Sequence, residues 1–242
     1  LLGVAATERW KWPPLVVLAL TLLFLAIDVA FLGANLLKLR QGGWLPLVIG
    51  VVLFTLMTTW KTGRRIVAGR LSARAIPLDA FVRGLLADPP VRVPGTAVFM
   101  TAHPTGTPPA LAHNLRYNKV LHEHVIVLAV RTTQTPYVQA KHRLSVHQLG
   151  GGIVDVWVQY GFMEDPDVPA ALAQARELGV PIDDDDVTYF LGRETIIVSR
   201  DRGMASWREQ LFVLMARNAV RATGFFRLPP ERVVELGVQV EM

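Results

Sequence analysis

The chain has no cysteine. That excludes a disulfide framework, a thiolate nucleophile and any cysteine-based metal site, and it fits a reducing compartment. Charge is scarce in two places. Leu15 to Leu37 holds a single charged residue, Asp28, and Trp44 to Trp60 holds none. The marks of a cleavable signal are lacking too: the first apolar run is too long and has no small-residue cleavage site. Gly150-Gly151-Gly152 is not followed by a Walker lysine, and neither the GxGxxG spacing nor a GxSxG elbow occurs. No catalytic set emerges, so the reading is not an enzyme, with no cofactor. There is no internal repeat and no low-complexity segment.

What is present divides into two regimes. The 242 residues are 51% hydrophobic, with a mean hydropathy of +0.34. Most of that excess lies in the first 60 residues. Leu15 to Leu37 as a helix reaches ~34 Å, enough for a hydrocarbon core of about 30 Å. Trp44 to Trp60 reaches only about 26 Å, so it spans if its flanks are helical or the bilayer thins. Lys38-Leu39-Arg40-Gln41-Gly42-Gly43 joins the two runs. Trp10, Trp12, Trp44 and Trp60 bracket them, as tryptophan does at a lipid–water interface. The spacing predicts a transmembrane hairpin over 1–61.

The net charge is +5 and the pI about 9.9. Between Lys61 and Arg92 stand seven basic residues, Lys61, Arg64, Arg65, Arg70, Arg74, Arg83 and Arg92, against Asp79 and Asp88. This cluster follows the second run, where the positive-inside rule puts cytoplasmic charge. Arg9 and Lys11 sit on the same side, and they outvote Lys38 and Arg40 in the loop. The expectation is a multi-pass protein of the cell (inner) membrane, with residues after 61 cytoplasmic. No recognition motif accompanies the charge, so nucleic acid is not an expected partner. The bilayer is one.

Thr21, Asp28 and Asn35 recur every seven residues, which keeps them on one stripe of the first helix. A carboxylate facing lipid costs about 2.5–3.5 kcal/mol or more, so the stripe should face other helices or a water-filled cavity. Two helices cannot enclose it, and the expectation is the C-terminal piece of a larger membrane protein. Asp28 then has two readings. It is an ion or proton ligand on a transport path, or a buried structural carboxylate that fastens helices together, and the second is the blander.

Residues 62–90 read as a basic juxtamembrane helical linker, with Pro77-Leu78-Asp79 starting a helix. Its basic face has two readings, contact with anionic headgroups or a solvated face next to the membrane. From 91 to 242 the pattern is that of a cytosolic α+β domain with a mixed sheet. Val93-Pro94-Gly95 reads as a turn before a strand at Thr96–Met100, and His103 to Pro109 as a loop. Val125–Val130 is a strand buried on both faces. Leu144–Val146 and Ile153–Tyr160 form a hairpin across the three glycines. Helices are expected over Ala110–Asn118, Pro169–Leu178 and Trp207–Val220, the last with Leu211, Leu214 and Met215 on one face. Val187–Phe190 and Thr195–Ser199 read as a strand pair, and Val233–Val240 as the closing strand.

Two clusters invite a metal reading. His122 and His124 share one strand face, but no third ligand is visible in the sequence, with His103, His113, His142 and His147 candidates only in three dimensions. Asp183 to Asp186 suits a hard cation, yet lacks the spaced ligands of an EF-hand loop. Hydrogen-bonding histidines and a solvated acidic loop account for both, so no metal is expected.

Several stretches together resemble one family. They are Asp28 with Asn35-Leu-Leu-Lys38, Gly42-Gly-Trp-Leu-Pro-Leu47, Met57-Thr-Thr-Trp60, Val91-Arg-Val-Pro-Gly-Thr-Ala-Val98, His113-Asn114 with Asn118-Lys-Val-Leu-His-Glu123, Arg217-Asn-Ala219 and Pro229 to Glu241. The chain is similar over its whole length to the C-terminal part of the Kup/HAK/KT potassium uptake transporters. The resemblance implies a potassium importer coupled to proton entry, on a scaffold of inverted repeats with the ion site near the midplane. It implies that this hairpin is the last two of about twelve spans, and that the ion-holding helices lie upstream of Leu1. It gives the soluble part the work of regulation, assembly or homodimer contact. The alternative, of another class, is a membrane-anchored module that senses a ligand or ion.

Overall fold

The computed structural model describes residues 11–241 except 38, 40–41, 102–105, 183–185, 198–202 and 221. The chain separates into two compact units, Leu1–Thr58 and Thr59–Met242.

Two helices form the first unit, the second of them running on from Thr59 into the second unit. Helix α1, Pro14–Leu37, opens on the proline pair, where a missing amide donor costs nothing, and runs through leucine, alanine and valine without a further proline. Helix α2, Trp44–Arg74, has Pro46 in its first turn. Only 6% of the apolar window of each is buried, so leucines, valines and phenylalanines point outward on all sides. In water that would be unstable; it is what hydrocarbon requires. Helix α2 does not stop at Trp60 or Lys61. Its 31 residues span ~46 Å, so a helical flank makes up the short reach of the second apolar run. Of the joining loop, Lys38, Arg40 and Gln41 lie outside the described residues.

The second unit is built on a six-stranded sheet. Its strands are β1 (Val91–Thr101), β2 (Val120–Thr132), β3 (Leu144–Gly150), β4 (Ile153–Tyr160), β5 (Val187–Ile197) and β6 (Val233–Glu241), in the order β3-β4-β2-β1-β5-β6. Every neighbouring pair is parallel except β3 with β4. The expected mixed sheet is therefore mostly parallel, with one antiparallel edge strand, and the domain is α/β. The central strands β1 and β2 are apolar on both faces because helices cover both. Helix α6 (Val168–Glu177) packs Val168, Ala171, Leu172 and Ala175 against Val98, Ile126, Val156 and Tyr189 on one face. Helices α3 (Leu78–Ala87) and α4 (Pro109–Asn118) cover the other, over Ala97, Phe99, Val125 and Val127. A third, smaller core joins Val67 of α2 and Phe212 of α7 (Ser206–Arg217) to Val238 and Val240 of β6. Two further short helices are α5 (Ala140–Arg143) and α8 (Ala222–Phe225).

Local chemistry sets the ends. Asp167 caps α6 by accepting from the Ala170 amide at 2.9 Å, and Gly179 follows the helix at φ +89°. The β3–β4 hairpin turns through Gly150, Gly151 and Gly152, all at positive φ, and a Cβ on Gly152 would stand 2.3 Å from the Glu123 carbonyl oxygen.

Three expectations need correcting. Val187–Phe190 and Thr195–Ser199 are not two strands. Val187 to Ile197 form one continuous β5, and Val198 and Ser199 lie outside the described residues. Val187 to Phe190 pair with β1, and Tyr189 to Ile197 pair with β6, so the chain stays extended through Gly192-Arg193-Glu194 with a neighbour on at least one side. Pro94-Gly95 is not a turn before a strand but an irregularity inside β1, between Val93 and Thr96. Helix α7 ends at Arg217 rather than Val220, and it buries Glu209 and Phe212 while Leu214 is exposed.

Candidate functional site

The stripe comes first. Thr21, Asp28 and Asn35 all lie on α1 with exposed side chains. Successive members are ~10.5 Å apart along the axis, two turns of helix. The Thr21 hydroxyl donates to the Val17 carbonyl at 2.7 Å, which satisfies it within its own helix. The stripe is thus a row of polar groups along an otherwise apolar cylinder.

In the second unit, buried polar groups gather around the start of the parallel strands. Arg92 donates to the His122 carbonyl at 2.7 Å and to the Gly151 carbonyl at 2.6 Å, tying β1, β2 and the hairpin turn together. The Nδ1 atoms of His122 and His124 are buried without a hydrogen-bond partner among the described residues, as is the Thr96 hydroxyl. Burial lowers the His122 pKa, and Asp186 works against that shift. Among the described residues no three His, Asp or Glu side chains gather as metal ligands. Of the other candidates, His113 stacks edge-on to Tyr117, His147 lies opposite Asp155 in the β3–β4 ladder, and His142 is in α5. His103 and Asp183 to Asp185 lie outside the described residues.

Sequence reasoning missed a buried carboxylate. Asp155 accepts from the Trp157 indole at 2.8 Å through Oδ2, while its Oδ1 has no partner among the described residues. Burial is the main cause of its raised pKa. Asp79 pushes the same way, and the Trp157 hydrogen bond, His147 and Arg131 oppose it. The Arg131 guanidinium lies 4.2 Å over the Trp157 ring. The only sign in the sequence was an aspartate in an alternating valine strand. Glu164 is the opposite case. It accepts from the Gly161 and Val138 amides and from Arg143, and those donors hold its pKa below the ordinary value.

A cavity of about 450 Å³ opens between the end of α2, α4 and β6, lined by Leu71, Ile76, Thr107, His113, Tyr117 and Gln239 among others. Thr107 closes one wall, its amide and hydroxyl both donating to the Ile76 carbonyl at 2.9 Å.

Two long apolar helices followed by this α/β domain form a recognisable pair. The family model for the K+ potassium transporter C-terminal domain matches residues 94–242, and that for the K+ potassium transporter integral membrane domain matches residues 1–65. The chain belongs to the K+ potassium transporter family. Within this family it is 53% identical, over its whole length, to the probable potassium transport system protein Kup of Thiobacillus denitrificans. It is 50% identical over 97% of its length to Kup 1 of Geobacter sulfurreducens, and 50% identical over 99% to Kup of Myxococcus xanthus. It covers 39%, 37% and 37% of those proteins, so it spans about two-fifths of the length of these potassium transport relatives. No solved structure matches. A potassium transporter family is a membrane transport family, not an enzyme family, and α1 and α2 are its membrane-crossing helices in this chain.

Proposed function

We propose that this chain is the closing hairpin and cytosolic domain of a potassium importer that couples potassium entry to proton entry. The observation that carries the reading is the joint match: one family's membrane domain over 1–65 and its C-terminal domain over 94–242, in one chain. On this reading residues 1–61 are membrane, 62–90 a basic juxtamembrane segment and 91–242 a cytoplasmic domain, in the inner membrane. Potassium and the proton pass through helices upstream. The cytosolic domain regulates or assembles the carrier, with homodimer contact as one form of that work.

The Thr21–Asp28–Asn35 stripe meets those other helices or a water-filled path. Lipid would penalise an ionised Asp28 by about 2.5–3.5 kcal/mol or more, which supports a polar neighbour for it. Asp28→Asn is expected to leave the charge-free packing intact. If Asp28 is an ion or proton ligand, the substitution also changes transport kinetics and their pH dependence. Wild-type kinetics in Asp28→Asn would leave it a helix-packing residue.

The test of the whole reading is rubidium uptake by the intact parent transporter, in cells lacking their own potassium systems, with and without residues 91–242. Uptake that collapses without the domain, while the protein still reaches the membrane, is the expected result. Unchanged uptake would make the domain dispensable for transport, and no uptake from either form would overturn the potassium assignment. A second reading, a domain that senses a small ligand, draws on the cavity beside α4. Ligand-dependent uptake that disappears on filling it by Ala112→Phe would favour that reading.

A further inference from the structure

We propose that helix α7, with Val220 and Phe225 after it, is a second membrane contact: an interfacial anchor that lies among anionic lipid headgroups beside the exit of α2. The argument begins with depth. Helix α2 is apolar without a charge from Trp44 to Trp60, then carries Lys61, Arg64 and Arg65. The change from lipid-like to basic, marked by a tryptophan, puts Thr59 to Arg65 at the headgroup level.

Helix α7 is fastened to that stretch. The Arg208 guanidinium donates from Nε to the Thr59 hydroxyl at 3.0 Å. The Phe212 ring is fully buried, with its centroid 5.6 Å from that of Trp60. It occupies the place a side chain on residue 63 would take: a Cβ on Gly63 would lie 2.3 Å from the ring. Three contacts over one turn of α2 hold α7 at the same depth.

The other side of α7 is then the informative one. Trp207 and Leu214 are seven residues apart and share a stripe opposite Phe212. They are 57% and 59% exposed, and after the helix Val220 is 82% and Phe225 53% exposed. Four large apolar side chains left in water within one short stretch of chain, from Trp207 to Phe225, would be a cost without return. At an interface they enter the acyl boundary, as the apolar face of an interfacial helix does. The charge at the exit of α2 and at the end of α7 has the sign that anionic headgroups attract: exposed Lys61 and Arg65 on α2 and exposed Arg217 on α7. Lipid, not protein, is the occupant this combination fits, because the tether already delivers the face to the bilayer surface. The proposal rests on α2 crossing the membrane and not on what the transporter carries, so it stands or falls apart from the rubidium assay.

The chain is free of cysteine, which makes the test direct. Single cysteines replace Leu214, Val220 or Tyr137 in the full chain and carry an environment-sensitive fluorophore. Tyr137 is the control, an exposed residue of the loop between β2 and α5. The protein is reconstituted into phosphatidylcholine vesicles with and without phosphatidylglycerol. Fluorescence is quenched either by a lipid nitroxide near the headgroup end of the acyl chain or by aqueous iodide. The expected result is several-fold stronger lipid quenching at Leu214→Cys and Val220→Cys than at Tyr137→Cys, and weaker iodide quenching. Arg217→Glu should reduce lipid quenching in the anionic vesicles alone. Quenching at both Leu214→Cys and Val220→Cys like that of the Tyr137→Cys control would overturn the proposal. Protection from both quenchers would also overturn it, since protein would then cover the face. Val220→Cys lies outside the helix, so a label that perturbs α7 does not remove the test.

Discussion

At the scale of single residues, side chains that are missing matter as much as those present. Gly161 has no positive φ to explain it. It is required by proximity: a Cβ there would lie 2.0 Å from the Pro136 carbonyl oxygen and 2.6 Å from the Tyr137 amide nitrogen. Both are backbone, so relief needs the chain to shift, and the Glu164 carboxylate that accepts from the Gly161 and Val138 amides would shift with it. Gly161→Ala should destabilise the domain by about 2 kcal/mol or more, seen as a lower thermal midpoint and faster proteolysis in the 133–138 loop. An unchanged midpoint would mean the loop yields freely. Asp155 supplies a pH-dependent case. Its folded-state pKa is raised, so the folded protein holds this proton more tightly than the unfolded chain. The favourable contribution is present at low pH and is lost as pH rises from the ordinary value of 3.8 through the folded value. Asp155→Asn, which can keep the Trp157 hydrogen bond through its amide oxygen, should remove that decline and stabilise the domain at neutral pH. A thermal-midpoint profile with the wild-type slope in the mutant would show that another group carries it. Neither residue was legible in the sequence. A close backbone approach and a buried orphan oxygen are properties of neighbours distant in the chain.

At the scale of elements, legibility follows how far one rule governs. β2 and β4 could be read because an uninterrupted apolar run or a strict alternation leaves little choice of burial. The α1 stripe could be read because seven residues nearly close two turns, though what packs on it could not, since spacing says nothing of neighbours. β5 read as two strands because Gly192-Arg193-Glu194 resembles a turn; its parallel partners hold it straight. Which side of α7 turns inward does not follow from its pattern, because the buried side carries Glu209 and the exposed side Leu214. The position that fixes α7 is Gly63. Alanine there gains helix propensity of about 1 kcal/mol, but the new methyl meets the buried Phe212 ring, and overpacking typically costs about 1–3 kcal/mol. The clash should win, with Gly63→Ala lowering the thermal midpoint of the detergent-solubilised chain. Phe212→Ala alone should cost about 3–5 kcal/mol. The double variant should then cost less than the sum, and strict additivity would mean that the two residues do not meet.

At the scale of the whole molecule, two crossings return the chain to the side on which it began, so one orientation choice fixes the compartment of everything after α2. Charge argues for the cytoplasm. Seven basic residues from Lys61 to Arg92 stand against two, Lys38 and Arg40, in the connecting loop. The margin is wide enough to test by subtraction. Lys61→Gln with Arg65→Gln removes two exposed cations that are in no ion pair among the described residues and leaves five. The orientation should therefore hold. In a cysteine-free chain this is read with a membrane-impermeant maleimide. A cysteine at Tyr137 should react only after the cells are permeabilised, and one at Gln41 should react in intact cells, in both backgrounds. Reaction at Tyr137→Cys in intact cells would put the α/β domain outside. A flip on losing only Lys61 and Arg65 would mean that charge next to the span decides the orientation, and that Arg70 to Arg92 contribute little to it.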